Sequence, residues 1–190
     1  MAKLIYVANM SLDGFVEDSE GRLDWAEPSE EVFSFITDLI GPVGTYLYGR
    51  RMYETMAVWE LEPSLAAQSS STRDFATLWQ KATKIVYSRS LESVSTRRST
   101  VEPHFDPDAV RRLKSREEND MTIGGSAITA SAFEAALVDE CQVLVYPVIL
   151  GGGRRAFSGD FCVNLELTGQ HRFANGVINL GYRVSNERVA

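Results

Sequence analysis

The sequence predicts an α/β protein with a mainly parallel central sheet, helices on both faces and a C-terminal antiparallel hairpin. Two observations support this prediction. Between residues 4 and 150, apolar runs typical of strands alternate with segments of helical spacing, the pattern of parallel sheets covered on both sides. Residues 163–173 and 177–184 then alternate apolar and polar side chains around Ala174-Asn175-Gly176, which is a hairpin turn signal.

The first elements are a strand and a helix. The nearly continuous apolar run 4–8 is typical of a strand buried on both faces, and Asp13-Gly14 indicates a turn after it. Ser29 is a suitable N-cap for a helix over 30–40, because its hydroxyl can accept a hydrogen bond from an amide of the first turn. Gly41-Pro42 ends this helix.

The middle of the chain continues the alternation. Residues 45–48 are predicted to form a strand that leads into a helix near 52–56, and 61–73 to form a flexible surface connection. A short amphipathic helix over 75–82 precedes a strand over 84–88.

Three further elements complete the parallel part of the sheet. Val101 belongs to a short strand, and Asp106-Pro107 begins a helix, since Asp caps helices and Pro suits their first position. The apolar run that ends at Ile123 predicts a strand, and a helix follows Gly124-Gly125. Residues 143–150 form the most apolar strand of the chain.

Length and composition narrow the possible functions. The 190 residues are predicted to form a single domain, 1–190, and a net charge of −7 argues against a nucleic-acid-binding surface. No apolar stretch approaches the roughly 18 residues that span a bilayer, and the N-terminus lacks the long apolar core of a signal peptide. Cys141 and Cys162 have no metal-ligand spacing and are expected to be reduced. We expect a cytoplasmic protein without a metal site that binds neither nucleic acid nor membrane.

Four strand ends carry glycine, hydroxyl or arginine side chains: Gly49-Arg50-Arg51, Ser88-Arg89, Gly124-Gly125 and Gly151-Gly152. Ligands of open α/β sheets bind beyond the carboxyl ends of the strands, so these junctions predict a cleft for a long ligand with several phosphates. Glycines let a phosphate approach the backbone, and arginine forks match its oxygens. The alternatives are that Gly124-Gly125 merely closes a strand-to-helix connection and that the arginines are solvated. Neither GxGxxG nor GxxxxGK[ST] occurs, which disfavours an ordinary Rossmann unit and a P-loop.

Six motifs follow one another along the chain: MSLDG at 10–14, LDW at 23–25, LYGRRMYE at 47–54, VYSR at 86–89, IGG at 123–125 and PVILGGG at 147–153. In this order they resemble the dihydrofolate reductase-like proteins of the riboflavin-biosynthesis reductase (RibD C-terminal domain) type. The resemblance covers essentially the whole chain. It implies a dihydrofolate reductase fold, NADPH as cofactor and a homodimer.

The resemblance also implies site residues. The GRR turn would bind phosphate, the end of the YSRS strand would hold the 2′-phosphate that distinguishes NADP from NAD, and the IGGSA segment would wrap the pyrophosphate. The cofactor positions so implied are Ala8, Met10, Gly49, Arg50, Arg51, Ser88, Arg89, Ile123, Gly124, Gly125, Ser126 and Ala127. On the substrate side of the nicotinamide, the resemblance implies Leu12 and Trp25.

Three carboxylates are candidates for the catalytic acid, Glu30, Glu31 and Asp13, and a bound water is the alternative source of the proton. Folate reductases place one carboxylate early in the first helix, and Glu30 and Glu31 fall close to that place, although the spacing departs from the family's pattern. The alternatives are that both are first-turn glutamates and that Asp13 is a turn residue. The expected function is an NADPH-dependent reductase that transfers hydride to a C=N or C=O bond of a small heterocyclic or sugar-linked substrate. The alternative is a non-catalytic dimeric nucleotide-binding module.

Overall fold

A computed structural model of the protein describes residues 1–185. Its strands are β1 Leu4–Ser11, β2 Phe15–Glu17, β3 Val43–Gly49, β4 Thr83–Tyr87, β5 Ser99–Glu102, β6 Asp120–Gly124, β7 Glu140–Tyr146, β8 Arg154–Arg155, β9 Asn164–Arg172 and β10 Ile178–Ser185. Its helices are α1 Glu30–Ile40, α2 Arg50–Met56, α3 Val58–Leu61, α4 Pro63–Ala66, α5 Ser70–Lys81, α6 Pro107–Arg116 and α7 Ser126–Glu134. A single 3-10 turn at Asp24–Ala26 precedes α1.

Eight strands form one sheet in the order β5-β4-β3-β6-β1-β7-β10-β9. All neighbours from β5 to β7 are parallel, whereas β10 pairs antiparallel with both β7 and β9. The predicted mainly parallel sheet and the C-terminal antiparallel hairpin are therefore confirmed.

Helices cover both faces of the sheet, as the sequence predicted. On one face, side chains of α6 and α7 pack on the central strands around Leu4 and Phe133. On the other face, side chains of α1, α2 and α5 pack on β3 and β4, where the fully buried Trp79 donates a hydrogen bond to the hydroxyl of Tyr48. Successive residues of a strand point to opposite faces, so Leu47 belongs to the first core and Tyr48 to the second.

Local capping explains where the helices begin. The Ser29 hydroxyl accepts from the amide of Val32, and the Asp106 carboxylate accepts from the amide of Asp108, which confirms both predicted helix starts. Because α1 connects the parallel strands β1 and β3, its first turn lies at the carboxyl edge of the sheet.

Three parts of the chain differ from the prediction. The strand predicted over 143–150 is β7 over Glu140–Tyr146, and it ends before Pro147, which has no amide to donate to a sheet. Residues 61–73 were predicted to form a flexible surface connection, but they contain α4 and the first turn of α5. Pro63 occupies the start of α4, and Ser69 forms a reciprocal capping box with Thr72 at the start of α5. The small antiparallel pair of β2 and β8 was not predicted, because strands of three and two residues are too short to show a period. Within residues 1–185, no helix is both long and apolar enough to cross a membrane.

Candidate active site

The four predicted junctions lie at one edge of the sheet. They follow β3, β4, β6 and β7, which together with β1 form a continuous parallel set, so their carboxyl ends point the same way. Gly49 pairs with Tyr87 at the end of β4, and Tyr48 pairs with Gly124 at the end of β6. The structure therefore brings together strand ends that are far apart in the sequence.

Two of these junctions touch through their glycines. Gly125 has a φ of +119°, and a Cβ added to it would lie 2.9 Å from the backbone nitrogen of Gly49 and 3.0 Å from its Cα. A Cβ added to Gly124 would lie 3.0 Å from Cγ of Met52. The glycines therefore allow the turns after β3 and β6 to pack backbone against backbone at this edge.

The helix α7 begins directly after Gly125, which contributes no capping side chain. The first amides of a helix have no intrahelical acceptor, and the helix dipole adds partial positive charge at this end. Ser126 is half-buried and Ala127 is exposed in this first turn, whereas Ile123 is buried in the core below. This end of α7 can therefore receive an anion.

Arg50 links the segments that follow β3 and β4. Its Nε donates to Glu54 Oε1 at 2.7 Å, and its Nη1 donates to the Ser90 hydroxyl at 2.9 Å. The Ser88 hydroxyl accepts hydrogen bonds from the amides of Ser90 and Leu91, at 3.2 and 3.0 Å. Arg50 and the turn at Ser88 are thus joined by hydrogen bonds at the carboxyl edge of the sheet, beside the ends of β3 and β4.

The other two predicted arginines are more available to a ligand. Arg89 is exposed, and its guanidinium has no hydrogen-bond or ion-pair partner among residues 1–185. The Arg51 side chain is 70% exposed and its Nη1 lies 3.5 Å from Glu17 Oε2. Both guanidiniums could therefore reorient toward a phosphate at this edge.

Asp13 anchors the loop that follows β7. Its Oδ1 accepts from the Ser11 hydroxyl at 2.7 Å and from the Leu150 amide at 3.1 Å, and its Oδ2 accepts from the Gly151 amide at 2.7 Å. These hydrogen bonds, led by that from Ser11, lower the pKa of the Asp13 carboxyl to about 2. Asp13 is therefore ionised at neutral pH and holds the glycine loop against the end of β1.

Glu30 and Glu31 occupy the first turn of α1, and both are exposed. The Ser71 hydroxyl donates to Glu30 Oε1, and the Ala174 amide donates to Glu31 Oε2 at 3.1 Å. The first contact joins α1 to α5, and the second joins α1 to the hairpin turn. No hydrogen bond in the described part of the chain links either glutamate to Asp13.

The predicted nicotinamide and substrate positions cluster around the ends of β1 and β7. Ala8 is buried and Met10 is half-buried in β1, whereas Leu12 beyond its end is 64% exposed. Trp25 is half-buried and packs edge-on against the ring of Tyr146, with the centroids 5.9 Å apart. Leu12 and Trp25 are thus placed beside the open end of the sheet.

Tyr146 is a feature of this edge that the sequence analysis missed. It is the last residue of β7, it is 4% exposed, and its hydroxyl has no hydrogen-bond partner among residues 1–185. Burial raises the pKa of this hydroxyl to about 12. The predicted strand ran to residue 150, so Tyr146 lay inside it; Pro147, which cannot donate to a sheet, was the signal that could have ended the strand at Tyr146 and placed its hydroxyl at the carboxyl edge.

Comparison with known proteins identifies the family. The family model described as the RibD C-terminal domain matches residues 2–179. The uncharacterized protein YyaP of Bacillus subtilis (strain 168) is 24% identical over 182 residues, which are 95% of this chain and 94% of YyaP.

Two solved structures show the same fold. A pyrimidine reductase-like protein from Corynebacterium diphtheriae superimposes with a TM-score of 0.67 at 14% identity, over 98% of this chain and 93% of its own. Dihydrofolate reductase from Enterococcus faecalis, complexed with NADP(H), superimposes with a TM-score of 0.65 at 15% identity, over 97% of both chains.

Proposed function

Because the chain belongs to the RibD C-terminal domain family, we propose that it is an NADPH-dependent reductase acting on a small heterocyclic or sugar-linked substrate. The reaction is hydride transfer to a C=N or C=O bond. The observation that carries this proposal is the contact between the Gly49 and Gly125 turns, with Arg50, Ser88 and Arg89 along the same edge.

The residues at this edge suit the phosphates of NADPH. The contact between Gly49 and Gly125 brings the turns after β3 and β6 together, and the uncapped start of α7 beside them offers amide donors to a pyrophosphate. Arg89 lacks a partner within residues 1–185 and follows Ser88, so this pair can hold a 2′-phosphate. A 2′-phosphate at this place would select NADPH over NADH.

The remaining residues position the reacting groups. NADPH, when bound, supplies the hydride, and the protein orients the rings and excludes water. Leu12 and Trp25 offer apolar surface to a flat substrate. A heterocyclic substrate is also supported by the names of two proteins with the same fold, the pyrimidine reductase-like protein and dihydrofolate reductase, since each name refers to a heterocyclic compound.

The proton donor is proposed among the three carboxylates at this edge. The low pKa of Asp13 favours its anchoring role, which leaves Glu30 and Glu31 as the better donors. Replacing the true donor with its amide should lower kcat about 100-fold or more, with a small change in KM. A carboxylate that only joins elements should instead affect the free energy of unfolding.

Titration of NADPH into the protein, followed by nicotinamide fluorescence, tests the proposal. We expect saturable binding, weaker binding of NADH, and a loss of that preference in Arg89→Gln. Arg116→Gln is the matched control, since it removes an arginine at the end of α6, away from the strand ends. Absence of binding at millimolar NADPH would contradict the reductase proposal.

A non-catalytic nucleotide-binding module is the second proposal. It is favoured by the engagement of all three candidate carboxylates in contacts with other elements. Incubation with NADPH and a panel of carbonyl, imine and pterin compounds separates the two functions. Sustained, enzyme-dependent loss of NADPH would exclude the binding-only function.

A homodimer is proposed to form through β9. All nine residues of this edge strand are exposed, among them Leu165 and Leu167. Antiparallel pairing of two copies about Gly169 would place Glu166 of one copy opposite Arg172 of the other, so the edge is complementary to itself. The mass from light scattering should be that of two chains, and Thr168→Pro, which removes a backbone donor from β9, should give one chain. A monomeric parent protein would refute the dimer.

A further inference from the structure

The Glu17 carboxylate is shared by two arginines from different parts of the chain. Glu17 Oε2 lies 2.9 Å from Arg154 Nε and 3.5 Å from Arg51 Nη1. The Glu17 side chain is only 19% exposed, whereas those of Arg154 and Arg51 are 40% and 70% exposed. One carboxylate oxygen therefore occupies a position where two guanidiniums converge.

The Glu17–Arg154 contact is held by the backbone. Glu17 pairs with Arg154 in the small sheet of β2 and β8. Gly153, with a φ of +129°, lies so close that an added Cβ would be 2.0 Å from the Glu17 carbonyl oxygen. The Arg155 guanidinium lies over the Phe15 ring, 5.2 Å from its centroid. These contacts keep Arg154 beside Glu17 while leaving Arg51, at 3.5 Å, as the weaker partner.

The Glu17–Arg51 contact crosses the candidate cleft. Glu17 lies on the segment that follows β1, and Arg51 lies on the helix that follows β3. Strand β6 lies between β1 and β3 and ends at the Gly124-Gly125 turn. The ion pair therefore joins the two sides of the edge across the place where the glycine turns meet.

We propose that Arg51 and Arg154 form an anion site that the Glu17 carboxylate occupies in the free protein. When a polyphosphate ligand binds, one of its phosphates pairs with Arg51 in place of Glu17. The nature of the ligand rests on the proposed function. Exposed ion pairs are weak, whereas arginine binds phosphate oxygens in bidentate pairs, so the exchange at Arg51 is favourable. The Glu17 charge remains beside Arg154 and opposes the incoming phosphate.

This arrangement makes Glu17 a residue that lowers cofactor affinity. In Glu17→Gln, the amide neither competes for Arg51 nor repels a phosphate, so the Kd for NADPH should fall about fivefold. The loss of competition acts through Arg51, so when Arg51→Gln is already present only the loss of repulsion remains, and Glu17→Gln should lower the Kd less than about twofold. Glu20→Gln is the matched control, because Glu20 is a carboxylate of the same loop that pairs with Arg22 instead.

The test measures the Kd of NADPH by fluorescence and that of inorganic pyrophosphate by calorimetry, for the parent protein and each variant. Tighter binding in Glu17→Gln alone, with a smaller gain in the Arg51→Gln background, supports the proposal. Unchanged or weaker binding in Glu17→Gln, an equal gain in Glu20→Gln, or a gain of the same size in the Arg51→Gln background overturns it.

The two ligands separate this proposal from the proposed function. If NADPH does not bind, the reductase proposal fails, and the pyrophosphate series still decides the role of Glu17. Failure of both the parent protein and Glu17→Gln to bind pyrophosphate overturns the anion site. Should Glu17→Gln not fold, Glu17→Asp, which withdraws the carboxylate from Arg51, replaces it with a smaller expected tightening, because its charge still opposes the phosphate.

Discussion

Gly125 lies against Gly49 so closely that a side chain on Gly125 would have its Cβ 2.9 Å from the Gly49 nitrogen. Real Cβ atoms do not come so close to backbone atoms, and the φ of +119° is itself unfavourable for any other residue. The contact joins the end of β3 to the start of α7. It therefore sets the separation of the two turns that are proposed to hold a pyrophosphate.

Gly125→Ala should damage both stability and NADPH binding. The positive φ and the overlap with Gly49 should together lower the free energy of unfolding by about 1–3 kcal/mol, and the forced separation of the turns should weaken NADPH binding at least about tenfold. Urea unfolding and the NADPH titration measure the two effects. Gly169→Ala in β9 is the control, since an added Cβ there meets nothing within 4 Å. Gly125→Ala with parental stability would contradict the argument.

The sheet was predictable because its signals are local. The apolar runs at β1 and β7 and the Asn175-Gly176 turn are each visible within ten residues of sequence. Glycine at the ends of β3 and β6 marked the site for the same reason. Strand order, by contrast, depends on contacts between distant segments, and Glu17 and Arg154 are 137 positions apart. No local sequence pattern predicts that these two residues form an ion pair.

Asp13→Asn should change how stability depends on pH. The folded-state pKa of Asp13 is about 2 against a usual 3.8, so the fold favours the ionised carboxyl. Its contribution is fully present above the unfolded pKa and is lost as the pH falls toward 2. The difference in the free energy of unfolding between the parent protein and Asp13→Asn should therefore be constant above about pH 5 and shrink below about pH 4.

Urea unfolding between pH 2 and pH 7 measures this difference. Asp24→Asn removes another carboxyl from the loop before α1 and controls for the loss of one negative charge. A difference that stays flat down to pH 2 would show that the Leu150 and Gly151 amides do not depend on the Asp13 charge.

Tyr53→Phe should destabilise the loop that follows the Ser88 turn. The Tyr53 hydroxyl accepts from the amides of Ser95 and Thr96, at 2.8 and 3.1 Å. Removal of this hydroxyl leaves the two amides without an acceptor, and one of them belongs to the buried Thr96. The free energy of unfolding should therefore fall by about 1–3 kcal/mol. Because the same loop carries Arg89, NADPH should also bind more weakly.

Tyr46→Phe provides a matched control for the loss of a buried hydroxyl. The Tyr46 hydroxyl is buried without a hydrogen-bond partner among residues 1–185, and its ring stacks on Tyr48. Removing an unpaired polar atom should leave the free energy of unfolding within about 0.5 kcal/mol or raise it. Equal losses in the two variants would mean that the lost packing contacts of the hydroxyl oxygen, rather than the two unpaired amides, account for the effect.

Lys84 should give the protein a stability that rises at alkaline pH. It is fully buried in β4, and its Nζ donates to the carbonyls of Trp79 and Ala82 at 3.3 and 3.1 Å, at the C-terminus of α5. Burial lowers the pKa of Lys84 to about 8 from 10.5. Between these values the unfolded chain holds a proton that the folded protein has released, so the free energy of unfolding increases with pH.

Urea unfolding of the parent protein and Lys84→Met at pH 7, 8, 9 and 10 isolates this contribution. The free energy of unfolding of the parent protein should increase relative to that of Lys84→Met as the pH rises from about 8 to 10. The reason is that the neutral amine still donates to both carbonyls without the cost of a buried charge. Lys81→Met controls for the removal of a lysine from α5. A difference that stays constant or reverses across this range would show that the Lys84 ammonium is not disfavoured by its burial.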